Sequence, residues 1–185
     1  VSIHSTGPPS TSDVTAEVFR ETMASVCAPV TIVTTMSGDK PYGATVSAFA
    51  SLSTTPPMVL VALDRRSTLL MRLCSSRRFG VNVLGSKQAD TAMRFTRQEI
   101  DRFAGLDWYV DQELPRIAHT AGWLACELAE LVEGGDHLVA FGRVTTADST
   151  PQSPLTYHRR SFGTHRTLGL SDRTGNPHSV GDGPP

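Results

Sequence analysis

Three short polar segments of this chain combine residue types and spacings that could hold a ligand. In Gly43-Ala44-Thr45-Val46-Ser47-Ala48-Phe49-Ala50-Ser51-Leu52-Ser53, the hydroxyls of Thr45, Ser47, Ser51 and Ser53 recur at period two, which an extended backbone turns to one face. Such a row suits a planar heteroaromatic ligand with many acceptors; a strand with one solvated face carries the same pattern. Asp64-Arg65-Arg66-Ser67-Thr68 runs into Leu69, Leu70 and Leu73 at a helix start. Free backbone N–H groups, the helix dipole, hydroxyls and guanidinium groups favour a phosphate there, and a solvated turn with an N-cap accounts for the same residues. Gly134-Gly135-Asp136-His137 sets a histidine just after a tight turn, at a strand start, a place for a ligand contact or for an exposed imidazole. Asn82 interrupts an apolar strand, and once buried its amide needs partners, either a ligand or neighbouring backbone.

Other chemistries lack their residues. GxGxxG and GxxxxGK[ST] do not occur, so a nucleotide is not held by a dinucleotide fingerprint or a P-loop. There is no GxSxG elbow, and Asp136 beside His137 is adjacency in sequence, which is not triad geometry. His4, His119, His137, His158, His165 and His178 form no HExxH, and no cysteine lies near them at zinc-ligand spacing, so no metal site is expected. Cys27, Cys74 and Cys126 are far apart with no CxxC, which points to reduced, mostly buried thiols rather than a disulfide framework.

The elements that must position these segments can be read from periodicity. Val14, Val18, Phe19, Thr22, Met23 and Val26 share one face of a helix over residues 14–26, and Pro29 stops it. Strands are expected over 30–35, over 42–53 after the Ser37-Gly38-Asp39-Lys40-Pro41 turn, and over 58–63 after Pro56-Pro57. A helix capped by Ser67 runs to about Ser75, a strand covers 79–84, and Ser86 caps a helix through Phe95. Residues 96–117 look irregular. Residues 122–133 fit a helix by propensity, but the Glu133-Gly134-Gly135-Asp136 turn and the strand pattern over 137–144 make two antiparallel strands the better reading. The order is mainly β with peripheral helices, a β-barrel rather than a doubly wound sheet.

Residues 1–13 and 166–185 are rich in Ser, Thr, Gly and Pro and read as disordered, leaving a single domain over 14–165. The 185-residue chain has 17 basic and 18 acidic side chains, with no basic stripe for nucleic acid. Its longest near-continuous apolar run, 57–63, is far short of the ~20 residues that span a bilayer. It lacks a basic-then-apolar leader pattern and reads as soluble and cytoplasmic.

Taken in order, these segments resemble the short-chain flavin reductases, whose domain is a flavin-reductase-like, FMN-binding split β-barrel. The likeness runs from Phe19-Arg20-Glu21-Thr22-Met23 through Pro29–Thr35, Gly43–Pro57 and Phe79-Gly80-Val81-Asn82-Val83-Leu84. It continues through Gln88, Phe95, Asp101-Arg102-Phe103, Gly134–His137 and Gly142-Arg143-Val144 to Pro154-Leu155-Thr156-Tyr157. Its most specific parts are the strand ending in a double proline and the Gly-Asp-His turn. Thr54-Thr55 stands where an acidic residue often precedes the prolines, and Ala48 where a serine is common.

The resemblance implies a homodimer that reduces FAD or FMN with NADH or NADPH, NADH favoured, and releases reduced flavin to a partner monooxygenase. By position, Thr45, Val46 and Ser47 would meet the isoalloxazine, with Ser51, Asn82 and Val83 near the ring or ribityl chain. Arg66, Ser67 and Thr68 would hold the phosphate. His137 would position the nicotinamide, with Tyr157 and Phe162 as neighbours. The alternative from another class is a split-barrel flavoprotein that keeps its flavin and acts as an electron carrier or binding protein. Nothing in the residues separates FAD from FMN.

Overall fold

A computed structural model of the chain describes residues 14–97 and 101–167. Thr15 caps the first helix, α1 (Ala16–Ala24), its hydroxyl accepting from the Val18 N–H at 3.3 Å. After the short β1 (Ala28–Pro29), the β-branched run forms β2 (Thr31–Ser37), which turns at Gly38 (φ +58°) into β3 (Lys40–Val46). Next come β4 (Phe49–Thr54), β5 (Pro57–Asp64), α2 (Thr68–Ser76), β6 (Arg78–Val83) and α3 (Ala89–Arg94). A hairpin of β7 (Trp108–Asp111) and β8 (Leu114–Ile117) precedes the long pair β9 (Gly122–Gly134) and β10 (His137–Ser149). A last hairpin joins β11 (Leu155–His158) to β12 (Ser161–Thr164).

Seven strands form one antiparallel sheet in the order β3-β2-β6-β9-β10-β5-β4, and β1, β11 and β12 form a second. Strands β3 and β4 stand at the two ends of that order, yet only Ser47 and Ala48 separate them in sequence. The sheet must therefore curl until its edges meet. No ladder joins β3 to β4 among the described residues, so the barrel stays open along this seam, the expected split barrel.

The core has two main layers because β2 is buried on both faces, from Thr31 through Thr35. Val33 packs with Val59, Val61, Leu63, Phe79 and Val81, where α2 adds Leu69, Leu70 and Leu73. Ile32 packs on the other side with Leu84, Phe95, Phe103, Ile117 and Leu155. Among the described residues no helix is long and apolar enough to cross a membrane.

Several expectations need correcting. Residues 42–53 are not one strand: β3 pairs with β2, β4 pairs with β5, and the chain breaks at Ser47-Ala48, so the hydroxyl row is divided between opposite sheet edges. Ser86 does not cap α3. Gln88 holds that position and ties the helix start to the loops, accepting from Gly85 N–H at 2.9 Å and donating to the Ala118 carbonyl at 2.9 Å. Residues 96–117 are not irregular throughout, since they contain the β7–β8 hairpin, whose turn residues Gln112 and Glu113 take φ of 50° and 61° without a glycine. Cys27 is exposed rather than buried. No residue of α1 is buried, so its apolar face meets no core in the single chain. The choice of strand for 122–133 agrees with β9, which turns Leu124, Cys126 and Leu128 to the layer around Val33 and Trp123 and Ala125 to a small third cluster with Leu114. The disorder expected for 1–13 and 166–185 lies outside the described residues, apart from Arg166 and Thr167.

Candidate active site

The register of β5 assembles the candidate site. On one side β4 sets Phe49 opposite Val61, and the Ala62 N–H donates to the Ala48 carbonyl at 3.0 Å, which lays Ser47-Ala48 beside the last residues of β5. On the other side β10 sets Leu138 opposite Leu63 and His137 opposite Asp64. Beyond Asp64 the chain turns into α2, with the Ser67 N–H donating to the Asp64 carbonyl at 2.9 Å. Three segments thus converge toward the C-terminal end of β5: Ser47-Ala48, Arg66-Ser67 and Asp136-His137.

The turn after β5 is pinned to the β9–β10 turn. Arg65 donates from its backbone N–H to the Asp136 carbonyl at 3.1 Å and from Nε to the Gly135 carbonyl at 2.8 Å, and it pairs with Glu133. The Asp64 carboxylate accepts from the Arg66 backbone N–H at 2.7 Å, from Nε at 3.2 Å and from Nη2 at 2.9 Å. These bonds hold its carboxyl well below the usual carboxylate range. Ser67 occupies the cap position of α2, but its side chain makes no cap hydrogen bond, so the helix start is left without a side-chain cap. His137 Nδ1 lies 2.7 Å from Asp136 Oδ1, and that hydrogen bond lowers the Asp136 carboxyl.

Beside Ser47 opens a cavity of about 670 Å³, lined by Ser47, Phe49, Met23, Val26 and Tyr157 together with Arg20 and Arg160. Its walls come from α1, the β3–β4 link, β4 and the last hairpin. The Arg159 N–H donates to the Ala24 carbonyl at 2.7 Å and Arg160 pairs with Glu21, which docks the β11–β12 turn on the end of α1. Tyr157 and Phe162 pack together with ring centroids 5.2 Å apart. A space of this size, apolar with a few polar groups, fits a tricyclic ring within the about 300–1,000 Å³ usual for small-ligand pockets.

The remaining expected residues fall elsewhere or are engaged by the protein. The half-buried Thr45 donates its hydroxyl to the Ala92 carbonyl at 2.6 Å, fastening β3 to α3 and leaving only its backbone for a ligand. Val46 is buried, and its carbonyl accepts from the Thr31 hydroxyl at 2.6 Å. Ser51 is exposed on β4 opposite Val59, further along the strand from Ser47. Thr68 lines a second cavity of about 380 Å³ with Lys40, Tyr42 and Arg102.

Asn82 requires a correction. It is 0% exposed; its amide nitrogen donates to the Ile32 carbonyl at 3.0 Å and to the Thr34 hydroxyl at 3.4 Å, and its oxygen accepts from the Ile117 N–H at 2.7 Å. The neighbouring backbone satisfies it, and it fastens β8 to β2. Val83 lies mid-sheet between Thr31 and Gly122. Sequence reasoning missed Asp64 as a partner of Arg66, and it missed Arg20 and Arg160 at the cavity. The adjacent Arg159-Arg160 pair, both at positive φ in a two-residue turn, carries no familiar turn signal.

Comparison with known proteins gives the family. Residues 23–166 match the flavin reductase like domain. The 4-nitrophenol 4-monooxygenase/4-nitrocatechol 2-monooxygenase reductase component of Rhodococcus opacus is 37% identical over 145 residues, 78% of this chain and 78% of its own length. A probable flavin reductase of Rhizobium meliloti is 35% identical over 162 residues, 84% of this chain and 52% of that protein, so the chain spans about half the length of that relative. Among solved structures, the NADH:FAD oxidoreductase of Streptomyces globisporus superposes with a TM-score of 0.78 at 30% identity, covering 87% of this chain and 100% of that one. The same protein has been solved in complex with NAD and FAD fragments. The split barrel, the convergence at the end of β5 and the match over most of its length have one reading: the chain belongs to the flavin reductase like domain family.

Proposed function

We propose that the cavity beside Ser47 and the turn at Arg66 form the flavin site of an NAD(P)H-dependent flavin reductase. One observation carries this reading: Ser47-Ala48, which line the ring-sized cavity, are tied through the Ala62 N–H to β5, the strand that ends at the uncapped start of α2 and opposite His137. The chain reduces FAD or FMN with NADH in preference to NADPH, and the reduced flavin passes to a partner monooxygenase. Hydride moves from nicotinamide C4 to flavin N5, so the reacting atoms belong to the substrates. The protein's task is to orient the rings and exclude water, which supplies much of the acceleration without a nucleophile.

In this reading Ser47 and the backbone at Thr45 and Val46 meet the ring, and Phe49 and Tyr157 wall the slot. Arg66, Ser67 and Thr68 take the phosphate, while His137, with Phe162 behind Tyr157, orients the nicotinamide. A second copy of the chain covers the apolar face of α1, giving a homodimer. Its support is the exposure of Val18, Phe19, Met23 and Val26, of which Met23 and Val26 also line the open apolar cavity, an apolar surface of the kind that marks interaction sites. A cytoplasmic site of action goes with the three unpaired thiols.

The test is NADH consumption, followed by its near-ultraviolet absorbance, with FAD, FMN and riboflavin added in turn. Flavin-dependent turnover at catalytic protein concentration is expected. No turnover with any flavin, with NADH or NADPH, would overturn the enzyme reading, and protein that stays yellow after extensive dilution would point to a carrier.

A further inference from the structure

Asp64 is the residue at the end of β5 that the flavin-site reading leaves without a role. Its carboxylate spends three hydrogen bonds on Arg66, one to the backbone N–H and two to the guanidinium. Arg65 is no substitute cation for a ligand, because its guanidinium is committed to the Gly135 carbonyl and to Glu133. The phosphate turn thus presents one guanidinium that already has a carboxylate partner two residues away. Asp136 adds a second negative charge near Arg66.

A phosphate arriving at this turn meets an ion pair rather than a free cation. It must draw Arg66 away from Asp64 or share it, and in either case the phosphate dianion and the Asp64 carboxylate lie near one another. The pair does not block binding, since the Arg66 side chain is 89% exposed and that of Asp64 37%, and exposed pairs open at little cost. Its consequence is a graded lowering of phosphate affinity.

We propose that Asp64 is an affinity-limiting residue of the flavin phosphate site, a competing anion that holds Arg66 and keeps phosphorylated flavin loosely bound. The proposal rests on reading the turn 64–68 as that site. Loose binding suits an enzyme whose reduced flavin must leave for another protein, because product release often sets the turnover rate. It also separates two roles for an aspartate in this position: a residue that preorganises Arg66 would strengthen phosphate binding, whereas a competitor weakens it.

The experiment measures dissociation constants of oxidised FMN and riboflavin by flavin fluorescence for the wild-type chain, Asp64→Asn and Asp64→Ser, at low and high salt. Both variants keep an oxygen that can accept from the Arg66 N–H while removing the charge. FMN should tighten about 3- to 10-fold in both, riboflavin should change less than about twofold, and the FMN gain should shrink as salt rises. Arg66→Ala, measured alongside, should weaken FMN selectively. FMN and riboflavin shifting together in the Asp64 variants, or FMN weakening, would overturn the proposal while a selective loss in Arg66→Ala left the phosphate site standing. An Arg66→Ala variant that keeps the wild-type FMN-to-riboflavin ratio would overturn the site reading and the proposal with it.

Discussion

His137 stands directly opposite Asp64 across the β5–β10 ladder, and Asp136 holds its Nδ1 at 2.7 Å. The ladder places the imidazole at the edge of the Asp64–Thr68 turn, and the hydrogen bond leaves Nε2 as the nitrogen free to meet a ligand. The hydrogen bond to His137 lowers the Asp136 carboxyl, so Asp136 stays anionic throughout the neutral range. His137→Ala should therefore raise the KM for NADH by about 3- to 10-fold, the worth of one lost hydrogen bond, while flavin affinity changes less than about twofold. Steady-state rates at varied NADH and saturating flavin check this. Unchanged KM for NADH with collapsed flavin affinity would reassign the histidine to the flavin.

Much of the barrel was legible because its signals are local. The Gly134-Gly135 turn made β9 and β10 readable against helix propensity, and the β-branched run at Val30–Thr35 announced β2. The β7–β8 hairpin was not, because its strands are four residues long and its turn uses Gln112 and Glu113 in left-handed conformations that normally favour glycine. At the site, residue types were legible and convergence was not. That Ala48 meets Ala62 and Asp64 meets His137 depends on register between distant strands, which no local pattern encodes. Asn82 shows the same limit: a polar residue in an apolar strand signals a required partner without saying whether that partner is a ligand or Ile117.

Asn82→Ala tests which partner matters. Removing the amide leaves the buried Ile117 N–H and Ile32 carbonyl short of a partner at the junction of β2, β6 and β8. The cost should be about 2–4 kcal/mol, seen as a lower urea midpoint. Flavin affinity, measured under conditions where the variant is folded, should match wild type. Intact stability with lost flavin binding would make the amide a ligand contact.

Gly80 is required by its neighbour rather than by its backbone conformation. A Cβ there would stand 2.2 Å from Trp123 Cη2 and 2.8 Å from the Thr34 hydroxyl, and Trp123 is 0% exposed, so the indole has no solvent-side room to retreat. Gly80→Ala should destabilise by about 1–3 kcal/mol or more through overpacking. Thermal unfolding should show the loss, with a shift in tryptophan emission from the displaced ring. A melting temperature equal to wild type would mean that the indole and β6 separate more easily than their burial implies.

Arg116 gives the fold an acid-sensitive clasp. Its guanidinium bridges Asp111 at 2.9 Å and Asp148 at 2.5 Å, joining the β7–β8 hairpin to β10, and it lies 5.8 Å from the Tyr109 and Trp123 ring centroids. The hydrogen bond from Arg116 lowers the Asp148 carboxyl below its ordinary 3.8. A carboxyl depressed in the folded state contributes stability in full above its ordinary value, and that contribution fades as pH falls through the lowered one. The clasp should hold unchanged from neutral pH to about pH 4 and weaken in stronger acid. Arg116→Met keeps much of the packing and removes the charge. The difference in urea midpoint between wild type and this variant should be constant near neutrality and shrink below about pH 4. Trp108 in β7 and Trp123 beneath the guanidinium are the chain's 2 tryptophans, so intrinsic fluorescence reports on this region directly. A difference that persists undiminished into acid would show that Arg116 acts through packing on Trp123 and not through its carboxylate partners.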